Sequence, residues 1–144
     1  MTVATCLCFD YGTKRIGVAV GQTLTATATP LTTIRVLNGR PDWRAITALI
    51  RQWQPDALVV GLPVTMDDGA QPLTGKAERF ARQLAGRYRM HVYRADERLT
   101  TAEAKSRLKR TADLDPVAAQ IILESWLADH TANHVAAGSG EGRP

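Results

Sequence analysis

Three extended segments come first in this chain, and only then do helix and strand alternate. That order restricts the possible folds more than any other feature. Thr5–Phe9 is an apolar run closed by Asp10, Tyr11-Gly12-Thr13 reads as a turn, and Ile16–Val20 returns as a second apolar run, which makes a hairpin. Ala26–Thr33 is rich in Thr and supplies a third strand. Pro30 inside it favours an edge, because proline brings no N–H to a ladder. Asn38-Gly39 is a turn, and Pro41 suits the first turn of a helix. Trp43, Ile46, Leu49, Ile50 and Trp53 then recur at helical spacing, and Gln54-Pro55-Asp56 ends that helix. Ala57–Val60 reads as a short buried strand ended by Gly61-Leu62-Pro63. Leu73, Ala77, Phe80, Ala81, Leu84 and Tyr88 mark a second amphipathic helix, and Met90–Ala95 a fifth strand. Thr100-Thr101-Ala102-Glu103 is a capping box opening a third helix, and Asp115-Pro116 opens a fourth that runs to about Asp129. The pattern predicts an α/β fold with a mixed five-stranded sheet, strands 1–3 of hairpin type and strands 4–5 parallel, and helices packed on it.

A length of 144 residues suits one domain. We assign it to 1–135, with the Gly-rich 136–144 expected as a disordered tail. The longest apolar stretch, Ala57 to Val64, is far shorter than a membrane span. The N-terminal apolar run has no basic flank and stops at Asp10, so no secretory signal is expected. Cys6 and Cys8, two residues apart in one strand, read as small buried thiols of a cytoplasmic protein. The net charge of +4 conceals an uneven distribution. From Lys76 to Arg110 there are eleven Lys/Arg against four acids, a local +7, which leaves −3 elsewhere. A positive segment of that kind attracts polyanions, although a basic helix face is also what a solvated surface looks like.

Three acids stand at the ends of elements: Asp10 after the first strand, Glu97 after the fifth, and Asp115 at the start of the last helix. If strands one and five are adjacent and parallel, Asp10 and Glu97 meet at one sheet edge. Gathered carboxylates repel unless a cation sits among them. Mg²⁺ or Mn²⁺ accepts oxygen ligands, and a pair of such ions can activate water and stabilise the leaving oxygen of a phosphodiester. A purely structural role serves each acid as well: a turn for Asp10, an N-cap for Asp115, a pair with Arg98 for Glu97. Lys14, Arg15 and Arg98 flank the acids, and Arg79 and Arg82 lie on the basic helix. All five are candidate phosphate donors, or partners of those same acids. His130 and His134 have i, i+4 spacing but no thiol or carboxylate on the same helix face beside them, and read as a fraying helix end rather than a metal site. Asp10-Tyr11-Gly12-Thr13 also resembles the phosphate hairpin of two-domain ATPases, for which this chain is too short.

Taken together, Phe9-Asp10-Tyr11-Gly12-Thr13-Lys14-Arg15-Ile16-Gly17-Val18-Ala19, Val60-Gly61-Leu62-Pro63 with Met66-Asp67, Asp96-Glu97-Arg98-Leu99-Thr100-Thr101, and Asp115 with Ala118-Ala119 and Ile121-Ile122-Leu123-Glu124-Ser125 form four ordered blocks. They resemble the bacterial Holliday-junction-resolvase-like family of pre-16S rRNA nucleases, over residues of about 7 to 127. The resemblance implies a ribonuclease-H-like fold and a cytoplasmic nuclease that trims the 5′ end of 16S rRNA precursor, and the gathered acids add the expectation of a Mg²⁺ or Mn²⁺ cofactor. It maps an acidic triad onto Asp10, Glu97 and Asp115. Thr65 stands where the family often has Asn, and the 105–114 connection is compact, so either Asp113 or Asp115 completes the triad. Precursor RNA is the expected partner, with branched DNA or a non-catalytic RNA-binding role as alternatives. Both a monomer and a homodimer are compatible with the sequence.

Overall fold

The computed structural model describes residues 4–63, 72–96, 102–110 and 115–141. Strand β1 (Thr5–Tyr11) turns at Gly12–Lys14 into β2 (Arg15–Gln22), and β3 (Thr27–Leu37) follows. A two-residue strand β4 (Arg40–Pro41) precedes helix α1 (Trp43–Trp53), then β5 (Ala57–Leu62), α2 (Pro72–Tyr88), β6 (Val92–Asp96), α3 (Ala102–Arg110) and α4 (Asp115–Glu141). The sheet order is β4-β3-β2-β1-β5-β6. β1 to β4 pair antiparallel, whereas β5 and β6 join parallel to β1. The mixed sheet predicted from the sequence is therefore present, with six strands rather than five. The extra strand follows the Asn38-Gly39 turn, in which both residues have positive φ, 52° and 77°. That is the pairing a tight hairpin turn requires. It draws Pro41 into the sheet, and the helix begins after Asp42, whose carboxylate caps the Ala45 N–H.

Alternation along each strand sorts the core into two layers. Leu7, Phe9, Tyr11, Val18, Leu58 and Val60 face α1 and α2, packing against Ile46, Phe80 and Leu84. Phe80 is the centre of that layer, with ring centroids 5.7 Å from Phe9, 5.1 Å from Tyr11 and 5.7 Å from Trp43. Full burial of such a ring contributes about 1.5–3 kcal/mol. Cys6, Cys8, Ala19, Val59 and Ala95 face the other way, under Ala119, Ile122, Leu123 and Leu127 of α4. Helix α4 does not stop near Asp129 but continues to Glu141. Pro30 falls where β3 is an outer strand, since β4 pairs only with Val36 and Leu37. The register between β2 and β3 shifts there.

The adjacency of the first and fifth predicted strands, which the sequence leaves as a condition, is not met. Met90–Ala95, observed as β6, is not adjacent to β1; β5 lies between them. Apolar periodicity determines which face of a strand is buried, not which strand lies next to it. The β5–α2–β6 crossover places β6 beyond β5, at the sheet edge. No helix among the described residues is long and apolar enough to cross a membrane.

Candidate active site

The carboxyl ends of the three parallel strands lie in one register line. Asp10 pairs with Gly61, and Gly61 with Ala95, so the ends of β1, β5 and β6 are level. On its other side Asp10 pairs with Gly17 of β2. Asp10 has the same parity as Cys6 and Cys8 and therefore belongs to the α4 face of the sheet. Its charge reaches the neighbouring thiol: Cys8 is held well above the usual thiol range by burial first, then by Asp10 and by Cys6.

Gly17 is what brings the second acid to this point. A Cβ at Gly17 would sit 2.0 Å from the Asp115 backbone oxygen and 3.0 Å from the Asp115 Cβ. The first residue of α4 thus rests directly on the backbone that pairs with Asp10. Further along β2, a Cβ at Gly21 would meet Leu123 at 2.7 Å, and on β5 one at Gly61 would meet Ile122 at 3.1 Å. Gly17, Ala19 and Gly21 share one face of β2. They form a floor of small residues that lets α4 sink onto the sheet. Motif spacing singles out none of them as site residues. The signal is legible all the same, as small residues at every second position of an otherwise Val-rich strand.

Asp115 is not without a cation. Arg15 Nε donates to Asp115 Oδ2 at 2.7 Å, with the arginine side chain 55% exposed and the carboxylate 20%. The sequence leaves Arg15 open between phosphate donor and partner of an acid; in the structure it is the partner. Lys14 is exposed in the hairpin turn. Arg79 lies on α2, close enough to Tyr11 to oppose the burial that pushes its phenol up. It therefore stands near the same carboxyl end of β1. Arg82 is exposed further along α2 and reaches Glu78 only at 3.9 Å. Glu97, Arg98, Asp113, Thr65 and the Thr100 capping box lie outside the described residues. Among the described residues no cluster of three metal-ligating side chains is complete. Asp10 and Asp115 supply hard oxygen donors, suited to Mg²⁺ or Mn²⁺ rather than to a thiolate-loving metal. The guanidinium on Asp115 marks a place where this fold already accommodates positive charge.

His130 stacks on Trp126, with centroids 4.4 Å apart and planes at 13°, and touches Tyr93 edge-on at 5.7 Å. It belongs to an aromatic cluster on a helix that continues, not to a fraying end. The side chain of His134 lies outside the described residues. Both cysteines are buried free thiols, as expected.

This arrangement has counterparts among known proteins. A family model described as Holliday junction resolvase, RuvX, matches residues 4–129. A protein of Pseudomonas fluorescens named "Putative pre-16S rRNA nuclease" is 47% identical over 141 residues, covering 92% of this chain and 97% of its own. One of the same name from Nitrosococcus oceani is 51% identical over 128 residues, covering 84% of each. Among solved structures, Thermus thermophilus RuvC in complex with a Holliday junction substrate superposes with a TM-score of 0.57 at 14% identity, over 88% of this chain and 95% of that one. The fowlpox virus Holliday junction resolvase gives 0.52 at 14% identity, over 87% and 99%. At such low identity these two establish the fold alone, the ribonuclease-H-like fold expected from the sequence. With the family model matched along most of this chain and relatives near half identical, the chain belongs to the RuvX family.

Proposed function

We propose that this protein is a metal-dependent nuclease that hydrolyses phosphodiester bonds in structured RNA and processes the 5′ end of pre-16S rRNA in the cytoplasm. The observation that carries this reading is the seating of Asp115 on Gly17, the residue paired with Asp10, at the carboxyl end of β1. This contact supports the reading that the two acids, far apart in the sequence, act at one site. Glu97 follows β6 directly in sequence and is the third acid of the proposal.

Asp10, Glu97 and Asp115 would hold Mg²⁺ or Mn²⁺, which when bound lowers the pKa of water and neutralises charge on the phosphate. The chain's own contribution is to place Asp10 on β1 and Asp115 on α4 and to steer the substrate. Arg15 has two acceptors to choose between, Asp115 and a substrate phosphate. Its exposure leaves it free to exchange one for the other. Lys14 in the hairpin turn and Arg79 and Arg82 on α2 are further phosphate donors of the proposal, together with Arg98, which follows Glu97 in the sequence. Relatives that carry the pre-16S rRNA nuclease name support the choice of substrate.

The test is purified protein with an end-labelled RNA carrying the 16S 5′ leader, with and without Mg²⁺ or Mn²⁺. Cleavage only with metal, leaving a 5′ phosphate, is the expected result. RNA bound but uncut in both metals would replace this reading by that of an assembly factor. Faster cutting of four-way-junction DNA in a parallel arm would replace it by that of a resolvase.

A further inference from the structure

The layer of the molecule opposite α4 carries a charged groove of its own. It opens between α1 and α2 with a volume of about 430 Å³, lined by Trp43, Arg44, Thr47, Ala48, Arg51 and Arg87. Half of these residues are arginines. None of the three has a carboxylate partner among the described residues. Helix α1 contains no acid at all, and Asp42, just before it, is committed to capping Ala45.

The groove is built rather than incidental. The Arg87 guanidinium lies 4.0 Å above the centre of the Trp43 ring. Trp43 is itself stacked on Phe80 and tilted against Tyr88 at 6.4 Å. The Tyr88 hydroxyl shares a hydrogen bond of 2.8 Å with Thr47 on the groove floor. Arg87 is therefore held in position before any ligand arrives, which reduces the entropy lost on binding. Arg44, Ala48 and Arg51 lie at i, i+4 and i+7 along one face of α1, with the small Ala48 leaving room between the two charges. Seven residues of helix separate Arg44 from Arg51 by about 10 Å. Charges spread along a groove match an extended polyanion better than a single small anion. The groove also lies two ring contacts from Tyr11, the neighbour of Asp10, through Phe80.

We propose that this groove binds the phosphodiester backbone of the RNA substrate through Arg44, Arg51 and Arg87, remote from the acidic site. The choice of RNA rests on the nuclease reading above, whereas the contact itself needs no catalysis. The experiment is fluorescence anisotropy in EDTA with labelled 16S 5′-leader RNA, over a salt series. It compares the parent, Arg44→Gln with Arg51→Gln, Arg87→Gln alone, and Arg44→Lys with Arg51→Lys, with thermal midpoints as the fold control. Each phosphate contact contributes about 0.7–0.9 to the slope of log K against log salt. The double Gln variant should therefore flatten the slope by about 1.4–1.8, and Arg87→Gln by about half that. The Lys variant should keep most of the slope. Slopes equal to the parent's in both Gln variants, or a parent that binds no RNA, overturn the proposal. A parent that binds with the stated slope changes but cuts nothing leaves the groove standing while the nuclease reading fails. A parent that cuts while the Gln variants keep its slope removes the groove alone.

Discussion

Replacing Gly17 by Ala puts the geometry of the site under the sharpest test. The new Cβ would lie 2.0 Å from the Asp115 backbone oxygen and 2.4 Å from its carbonyl carbon. Both are backbone atoms, so no side chain can rotate out of the way. An unstrained contact is near ~3.5 Å, so the start of α4 has to lift by about 1–1.5 Å. Overpacking of this kind costs about 1–3 kcal/mol. A displacement of about 1 Å in a positioned reacting group can cost on the order of 100-fold in rate. Gly17→Ala should therefore lose about 1–3 kcal/mol in urea denaturation and on the order of 100-fold in cleavage of labelled leader RNA under folding conditions. Gly61→Ala is the control. Its Cβ meets the tip of the Ile122 side chain at 3.1 Å, which can give way, and it should cost far less on both measures. A Gly17→Ala protein with parental stability and parental rate would refute the claim that Gly17 positions Asp115.

Two further outcomes follow from the pairs and thiols around the site. Arg15→Gln should change stability by less than about 1 kcal/mol, because a pair with so exposed an arginine is screened by solvent; urea melts at low and high salt measure this. Cys6 is pushed up from 9.0 to about 12, chiefly by burial and then by Asp56. The unfolded thiol ionises above pH 9 while the native one does not. Its contribution is thus complete below pH 9 and is lost as pH rises from 9 towards 12, and a Cys6→Ala protein should show a shallower decline over that window.

What is legible in the sequence follows from where local chemistry is decisive. Asp10 stands out because it ends an apolar run, and Asp115 because a proline follows it at a helix start. The structure has Asp10 near the end of β1 and Asp115 as the first residue of α4. Asn38-Gly39 announces its turn, but a strand of two residues has no period to detect, so β4 escapes a reading by pattern. Strand neighbours are harder still. The apolar run Ala57–Val60 reports burial, and only the crossover geometry puts β5 between β1 and β6. The small-residue floor at Gly17, Ala19 and Gly21 is hard to read for a similar reason. A glycine in a strand announces a close approach without naming what approaches. The arginines of the α1–α2 groove lie partly outside the basic segment that charge counting picks out, and folding brings Arg44 and Arg51 to Arg87.

The most direct measurement of the central claim is cleavage of end-labelled leader RNA in Mg²⁺ by Asp10→Asn and Asp115→Asn, beside the parent. RNA binding in EDTA and the thermal midpoint are followed for each protein. Both variants should fold and bind RNA while cleavage falls to background. If either variant cuts as fast as the parent, that acid is not part of the active site.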